Sequence, residues 1–213
     1  MDPKRLDMPL GEAMFTQRSI RKFKPDPIPM EDIHLIVEAA VKAPNGGNRQ
    51  VGRFLLLTDR KKIHDEFGPL YYEAWWAKRR DEGHTWKKLD EIPEADKNHR
   101  AAAQLANEMK DAPAVVFALA ANNGPANSVI PACQNLMLAA RALGIGSLPT
   151  TLHPSVMDRF RAMFKIPADV AFHFCIPLGY PRGRFGPTQR RPTYEMTYWK
   201  RWDAPVPWAP VPA

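Results

Sequence analysis

The chain has 213 residues, 45% of them hydrophobic and 25% charged, a balance that supports a folded core and excludes a disordered or collagen-like chain. Its net charge of +7 favours an anionic partner: nucleic acid, acidic lipid or a phosphorylated cofactor. The basic residues are dispersed among acids, with no finger, RNP or basic-zipper pattern, so nucleic acid is not expected as the partner.

Residues 10–17 predict a short helix leading into Arg18-Ser19-Ile20-Arg21-Lys22-Phe23. Arg18, Ser19 and Arg21 suit a phosphate, because guanidinium offers its oxygens a rigid fork of N–H donors. Basic residues at a helix C-terminus also complement the dipole without any ligand, so both readings stand at this point. Three prolines between Phe23 and Pro29 exclude helix and predict an extended connector. A second helix opens with Glu31 and Asp32, carries an apolar face at Ile33, Ile36, Val37, Ala40 and Val41, and stops by Pro44. The loop 44–50 is rich in amides and glycine, which either brings backbone N–H groups close to a ligand or makes a plain tight turn. Residues 54–58 predict a short buried strand.

Residues 60–67 predict another short helix. From 68 to 98 the composition changes: Tyr71, Tyr72, Trp75, Trp76 and Trp86 crowd a segment also carrying Lys78, Arg79, Arg80, Lys87 and Lys88. Tyr72, Trp75, Trp76 and Arg79 share a helical stripe, read either as packing or as the aromatic side of a lid over a pocket. Residues 97–111 predict a helix. Residues 114–120 form a continuous apolar run, hence a strand covered on both faces. Residues 131–143 predict an apolar helix capped by Gly144. A strand with a terminal turn follows at 145–151, then a helix at 155–164. The last core strand is expected at 172–178, with Pro177 marking a strand end or sheet edge. Residues 179–192 are basic and extended, and Pro205, Pro207, Pro210 and Pro212 predict a polyproline-like tail over 202–213. No repeat or linker divides the chain, so one domain over 1–213 is expected.

Cys133 and Cys175 sit in apolar runs and read as buried thiols of a reducing compartment. The six histidines are scattered, with no metal-ligand spacing, and no metal is expected. The N-terminus lacks the apolar region of a signal peptide, and the longest apolar run, 112–121, is about half a membrane span. A cytoplasmic protein with no membrane partner is the expectation. No Ser/His/Asp set or carboxylate pair stands out, which points to chemistry carried by a cofactor.

Five elements occur in an order that resembles the FMN-dependent nitroreductase family, which includes the iodotyrosine deiodinases. They are Arg18-Ser19-Ile20-Arg21; the loop Pro44-Asn45-Gly46-Gly47-Asn48-Arg49-Gln50 before a strand; Ala142-Leu143-Gly144-Ile145-Gly146-Ser147; Pro177-Leu178-Gly179-Tyr180-Pro181; and Arg190-Arg191-Pro192. The chain departs from the family pattern at Gln17, where many members carry a second Arg. It departs again at Asn45, usually Ser, and at Val51-Gly52, frequently Pro-Trp.

The resemblance implies an α+β fold with helices flanking a mostly antiparallel sheet, in an intertwined homodimer with FMN at the subunit interface. Residue by residue it implies Arg18, Ser19, Arg21 and Arg190 on the FMN phosphate and ribityl chain. Pro44, Asn45, Gly46 and Asn48 would approach the flavin from the other subunit. Pro149, Thr150 and Thr151 would form the turn near the flavin, with Thr151 a partner of N5. The implied activity is ping-pong oxidoreduction, with NAD(P)H as donor and a nitroaromatic or quinone as acceptor. Tyr71, Tyr72, Trp75 and Trp76 are the candidate stacking surface for a small aromatic substrate. The helix at 131–143 is a candidate dimer face or an ordinary core helix. Reductive dehalogenation of a halogenated aromatic is the alternative activity, suggested by Gly83-His84-Thr85-Trp86. A non-catalytic basic binding module is the alternative from a different class.

Overall fold

The computed structural model describes residues 2–210. Helix α1 (Leu10–Thr16) leads through an extended segment into α2 (Met30–Val41) and then β1 (Gly52–Leu57). Next come α3 (Arg60–Lys62), a π-helical turn at Ile63–Phe67 and α4 (Gly68–Asp81), joined end to end. Then follow α5 (Lys97–Glu108), β2 (Ala114–Ala120), α6 (Ile130–Ala142), β3 (Gly146–Ser147), α7 (Met157–Phe164) and β4 (Ala171–Gly179). The strands order as β1-β2-β4-β3, every neighbouring pair antiparallel. This is the α+β architecture that the resemblance implied. Among the described residues, no helix is long and apolar enough to cross a membrane.

The period-two alternation of a strand explains the layering. On β2, Ala114, Val116, Ala118 and Ala120 face one core, packed with Ile33, Ile36 and Ala40 of α2 and Ala132, Leu136 and Ala140 of α6. Val115, Phe117 and Leu119 face the other, with Phe67, Leu70, Tyr71 and Phe160. Helices cover both faces, so every residue of β2 is buried and its sequence is apolar throughout. The phase changes once. The register of β2 with β4 skips His173, pairing Ala118 with Phe174 but Leu119 with Phe172. This bulge sends Phe172 to the Phe117 side and Phe174 to the α2–α6 side. His173 itself meets the Gly124 carbonyl through Nε2, at 3.0 Å.

Several expectations are corrected. The helix expected to end near 67 runs on to Asp81, through Gly68 and Pro69. The π turn absorbs the proline: the Gly68 N–H donates to the Ile63 carbonyl, and the wider turn relieves the clash of a proline ring with the preceding turn. Gly68 is required there by packing, since a Cβ would lie 2.4 Å from Lys110 Cβ and 2.6 Å from its Cα.

Pro177 does not mark an edge or an end, because β4 lies between β2 and β3. Thr150 exchanges two hydrogen bonds with Cys175, at 2.9 and 2.8 Å, and Gly146 pairs with Gly179. Alternation puts the missing N–H of Pro177 opposite Leu148, between those two pairings, and there β3 breaks off.

Helix α6 is a core helix, with Leu136 and Ala140 fully buried within their own chain. The expected polyproline tail instead turns back on itself over 198–206. Tyr198 bridges Pro205, the Trp199 N–H donates to the Ala204 carbonyl at 2.9 Å, and Val206 is buried. Prolines exclude helix but are at home in turns. Residues 211–213 lie outside the described residues.

Candidate functional site

The segment after α1 serves as an extra edge of the sheet. Ser19 bridges Ser147 in parallel, the Ile20 N–H donates to the Ser147 carbonyl at 3.2 Å, and the Lys24 N–H donates to the Tyr180 carbonyl at 2.7 Å. Two glycines allow this close approach. A Cβ on Gly146 would meet Ile20 at 2.7 Å, and one on Gly179 would meet Phe23 at 2.8 Å. Ile20 and Phe23 are buried, so the residues between and beside them are held in register at the surface.

The segment carrying Arg190 returns to the same place. The Thr188 N–H donates to the Phe15 carbonyl at 3.2 Å. Arg141, at the end of α6, ties the neighbouring parts together. Its Nε donates to Thr16 Oγ1 at 2.9 Å, its Nη2 to Glu12 Oε1 at 3.2 Å, and its guanidinium lies over the Phe185 ring at 4.3 Å.

These segments enclose a cavity of about 690 Å³, within the range of roughly 300–1,000 Å³ common for small-molecule and cofactor sites. Arg18, Ser19, Arg21, Pro149 and Arg190 line it, together with Gln17, Asn98, Met137, Pro187, Thr188 and Gln189. No carboxylate is among the lining residues. None of the three arginines pairs with a carboxylate among the described residues, and Arg190 reaches only the Gln189 carbonyl, at 2.8 Å. Burial lowers the pKa of Arg21 from its usual value, while the charge of Arg18 pushes the same way and Tyr71 opposes. Three unneutralised guanidiniums beside a serine hydroxyl attract a multiply charged oxyanion.

The other candidates divide. Asn45 lines a second, smaller cavity of about 210 Å³ with Gln50, Phe54 and Ser128. In that loop the Gly46 N–H donates to Ser128 Oγ at 3.2 Å, and Asn45 Oδ1 accepts from the Gln50 N–H at 2.8 Å. Pro44 and Asn48 are exposed beside it. Within one chain, Pro44, Asn45, Gly46 and Asn48 therefore do not join the arginine cavity.

Thr150 is already engaged: its N–H goes to the Cys175 carbonyl and its hydroxyl to the Tyr71 hydroxyl at 2.9 Å. This N–H is spent within the chain, and Thr151, which is exposed, is the open residue of that turn. Burial pushes the Tyr71 hydroxyl pKa up, with the Thr150 bond opposing.

Tyr71, Trp75 and Trp76 pack in the Phe117 core and leave no open face for a substrate; of the four stacking candidates only Tyr72 is exposed. The aromatic stripe closes the core under α4, and most of the loop 82–96 lies at the surface, with Ile92 buried beneath it. Asn98, Gln189 and Arg141 escaped the sequence reading. The first two carry no local pattern, and Arg141 looked like an ordinary helix-ending cation.

Residues 15–180 match the nitroreductase family. An NADH dehydrogenase of Thermus thermophilus is 27% identical over 206 residues, covering 88% of this chain and 94% of that protein. A 5,6-dimethylbenzimidazole synthase of Rhodospirillum rubrum is 30% identical over 181 residues, covering 80% and 82%. The fold matches a crystal structure of iodotyrosine deiodinase bound to FMN and 3-iodo-L-tyrosine, with a TM-score of 0.66 and 21% identity over 95% of this chain and 100% of that one. The sequence match spans both the arginine-bearing edge segment and the sheet it lies against, and the chain belongs to the nitroreductase family.

Proposed function

We propose that this chain is an FMN-dependent NAD(P)H oxidoreductase whose arginine cavity holds the phosphate end of the cofactor. The observation that carries this reading is the set of Arg18, Arg21 and Arg190 around one cavity, with Ser19 and without a carboxylate. That donor set fits a phosphate monoester: Arg18 and Arg21 offer forked donors from the sheet edge, Arg190 from the C-terminal segment, and Ser19 a hydroxyl. Bound there, FMN would supply the redox chemistry between NAD(P)H as donor and a small electron-poor acceptor such as a nitroaromatic or quinone.

The protein's part is to bind, orient and shield. Pro149 walls the cavity and Thr151 is the residue of its turn left free to reach the ring. Residues 82–96 of the aromatic segment would cover the acceptor. The loop 44–50 completes the site from a second copy of the chain. Exposed apolar residues Leu10, Met14 and Phe15 on α1, the last 73% exposed, provide the kind of surface that such a homodimer buries.

The test is direct. Purified protein is expected to be yellow, with flavin near one per chain, and to bleach anaerobically with NADH or NADPH. Reoxidation by nitroaromatics, quinones and halophenols then separates nitroreductase from dehalogenase activity. A colourless protein that added FMN neither binds nor stabilises would favour a non-catalytic basic module.

A further inference from the structure

A second site lies where α4 ends and α5 begins. Gly83, at φ 84°, turns the chain so that the His84 N–H reaches the Arg79 carbonyl at 2.9 Å. This presents Glu82 and His84 toward the first turn of α5. There Asp96 caps the helix, its Oδ1 accepting the His99 N–H at 3.1 Å, and its Oδ2 lies 2.6 Å from His99 Nδ1. One side-chain ligand atom each from Glu82, His84 and His99 lie within 4.8 Å of one another.

We propose that Glu82, His84 and His99 bind a divalent transition-metal ion of the zinc class. Two imidazoles and a carboxylate suit zinc and its neighbours, whereas magnesium and calcium prefer all-oxygen sets. The supports around the three ligands are those of a metal site. Asp96 occupies Nδ1 of His99, which leaves Nε2 for the ion and fixes the ring, a carboxylate–histidine–metal arrangement. Arg79 takes Oε1 of Glu82 at 2.8 Å and leaves Oε2. Trp86 stacks on His84 with centroids 4.0 Å apart and planes 13° apart, so the imidazole is held by its face and its nitrogens stay at the edge.

Tetrahedral zinc holds nitrogen and oxygen at about 2.0–2.2 Å, so its ligands stand about 3.4 Å apart, and atoms that lie within 4.8 Å of one another need to close by at most about 1.4 Å. A fourth position remains for water. The spacing of Glu82-Gly83-His84 and His99, with fourteen residues between the histidines, gives no motif, which is why the sequence predicted no metal. The ion joins the two ends of the surface loop and fixes the turn beside Asn98, a wall of the arginine cavity.

Tag-free protein, stripped with chelator and dialysed, is titrated with zinc chloride by calorimetry, and bound metal is counted by mass spectrometry. One zinc per chain is expected, with a rise in Tm. His84→Ala and Glu82→Gln, which leave the α5 cap intact, should each weaken binding by at least about tenfold, and His99→Ala likewise. His34→Ala and His64→Ala, at exposed histidines elsewhere, should change nothing. Imidazole must be deprotonated to ligate, so binding should fade in acid. Absence of stoichiometric binding by the parent protein, or binding that folded His84→Ala and Glu82→Gln leave unchanged, overturns the proposal.

Discussion

Substituting Gly146→Ala tests whether the sheet edge positions the anion cavity. The added Cβ would sit 2.7 Å from both Cβ and Cγ2 of Ile20, and 3.0 Å from Cγ1. Turning χ1 moves the γ carbons but leaves Ile20 Cβ where it is, so relief requires the backbone to move. Opening the contact to an ordinary 3.4 Å displaces the edge segment by about 0.7 Å. Overpacking of this kind costs about 1–3 kcal/mol, and each kcal/mol lowers Tm by roughly 2–4 °C in a chain of this size. The same shift would move Arg18 and Arg21 relative to a phosphate held in the cavity. Losing one charge-assisted hydrogen bond of about 1.5–3 kcal/mol weakens FMN binding on the order of 10–100-fold. Thermal melts and FMN-fluorescence titration read the two effects separately. Gly144→Ala is the control: its φ of 72° makes alanine strained, yet nothing lies within 4 Å of its Cβ. It should lose about 1 kcal/mol of stability with FMN affinity intact. An unchanged melt for Gly146→Ala would refute the close approach. An earlier melt with unchanged FMN affinity would refute the link from edge to cavity.

Arg21→Ala and Arg190→Ala should each weaken FMN binding by about 1–3 kcal/mol, measured by the same titration, and unchanged affinity in both would contradict the phosphate assignment. Tyr71→Phe removes the hydroxyl contact to Thr150 at 2.9 Å and should destabilise by about 0.5–1.5 kcal/mol in urea unfolding, with little further loss when Thr150→Val is added. Burial pushes the Cys133 thiol up to about 12 from a usual 9.0. Below pH 9 it is protonated whether the chain is folded or not. Between about pH 9 and 12 only the unfolded chain releases the proton, so stability falls with rising pH there. A thiol reagent at pH 8 should label Cys133 only on unfolding; rapid labelling of folded protein would contradict its burial.

Helices, strands and their order were legible wherever one chemical pattern dominated. β2 declares itself because both faces are covered and every residue is apolar. The basic motif declares itself through Arg18, Ser19 and Arg21, and all four phosphate candidates, Arg18, Ser19, Arg21 and Arg190, line one cavity, but nothing in it announced that the segment would lie along the sheet. What failed was context. Pro177 reads as an edge because a proline lacks a donor, but the sequence does not show that the opposing strand is interrupted at that very register. Tyr71, Trp75 and Trp76 look like a ligand surface because aromatics serve both purposes, and only three-dimensional packing decides between them. Gly68-Pro69 reads as a helix boundary because a π turn has no signature of its own. The second cavity at Asn45 shows why one chain's motifs need not form one site.

The anion cavity has walls from both ends of the chain: Arg18 and Arg21 follow the first helix, and Arg190 follows the last strand. A phosphate gripped by all three would be a reversible clasp that closes nearly the entire polypeptide into a ring. Emptying it would loosen the N-terminal and C-terminal straps together, leaving the Thr188–Phe15 hydrogen bond and the Arg141 contacts to hold them. The susceptibility of residues 183–195 to a protease would then act as a gauge of how full the protein is.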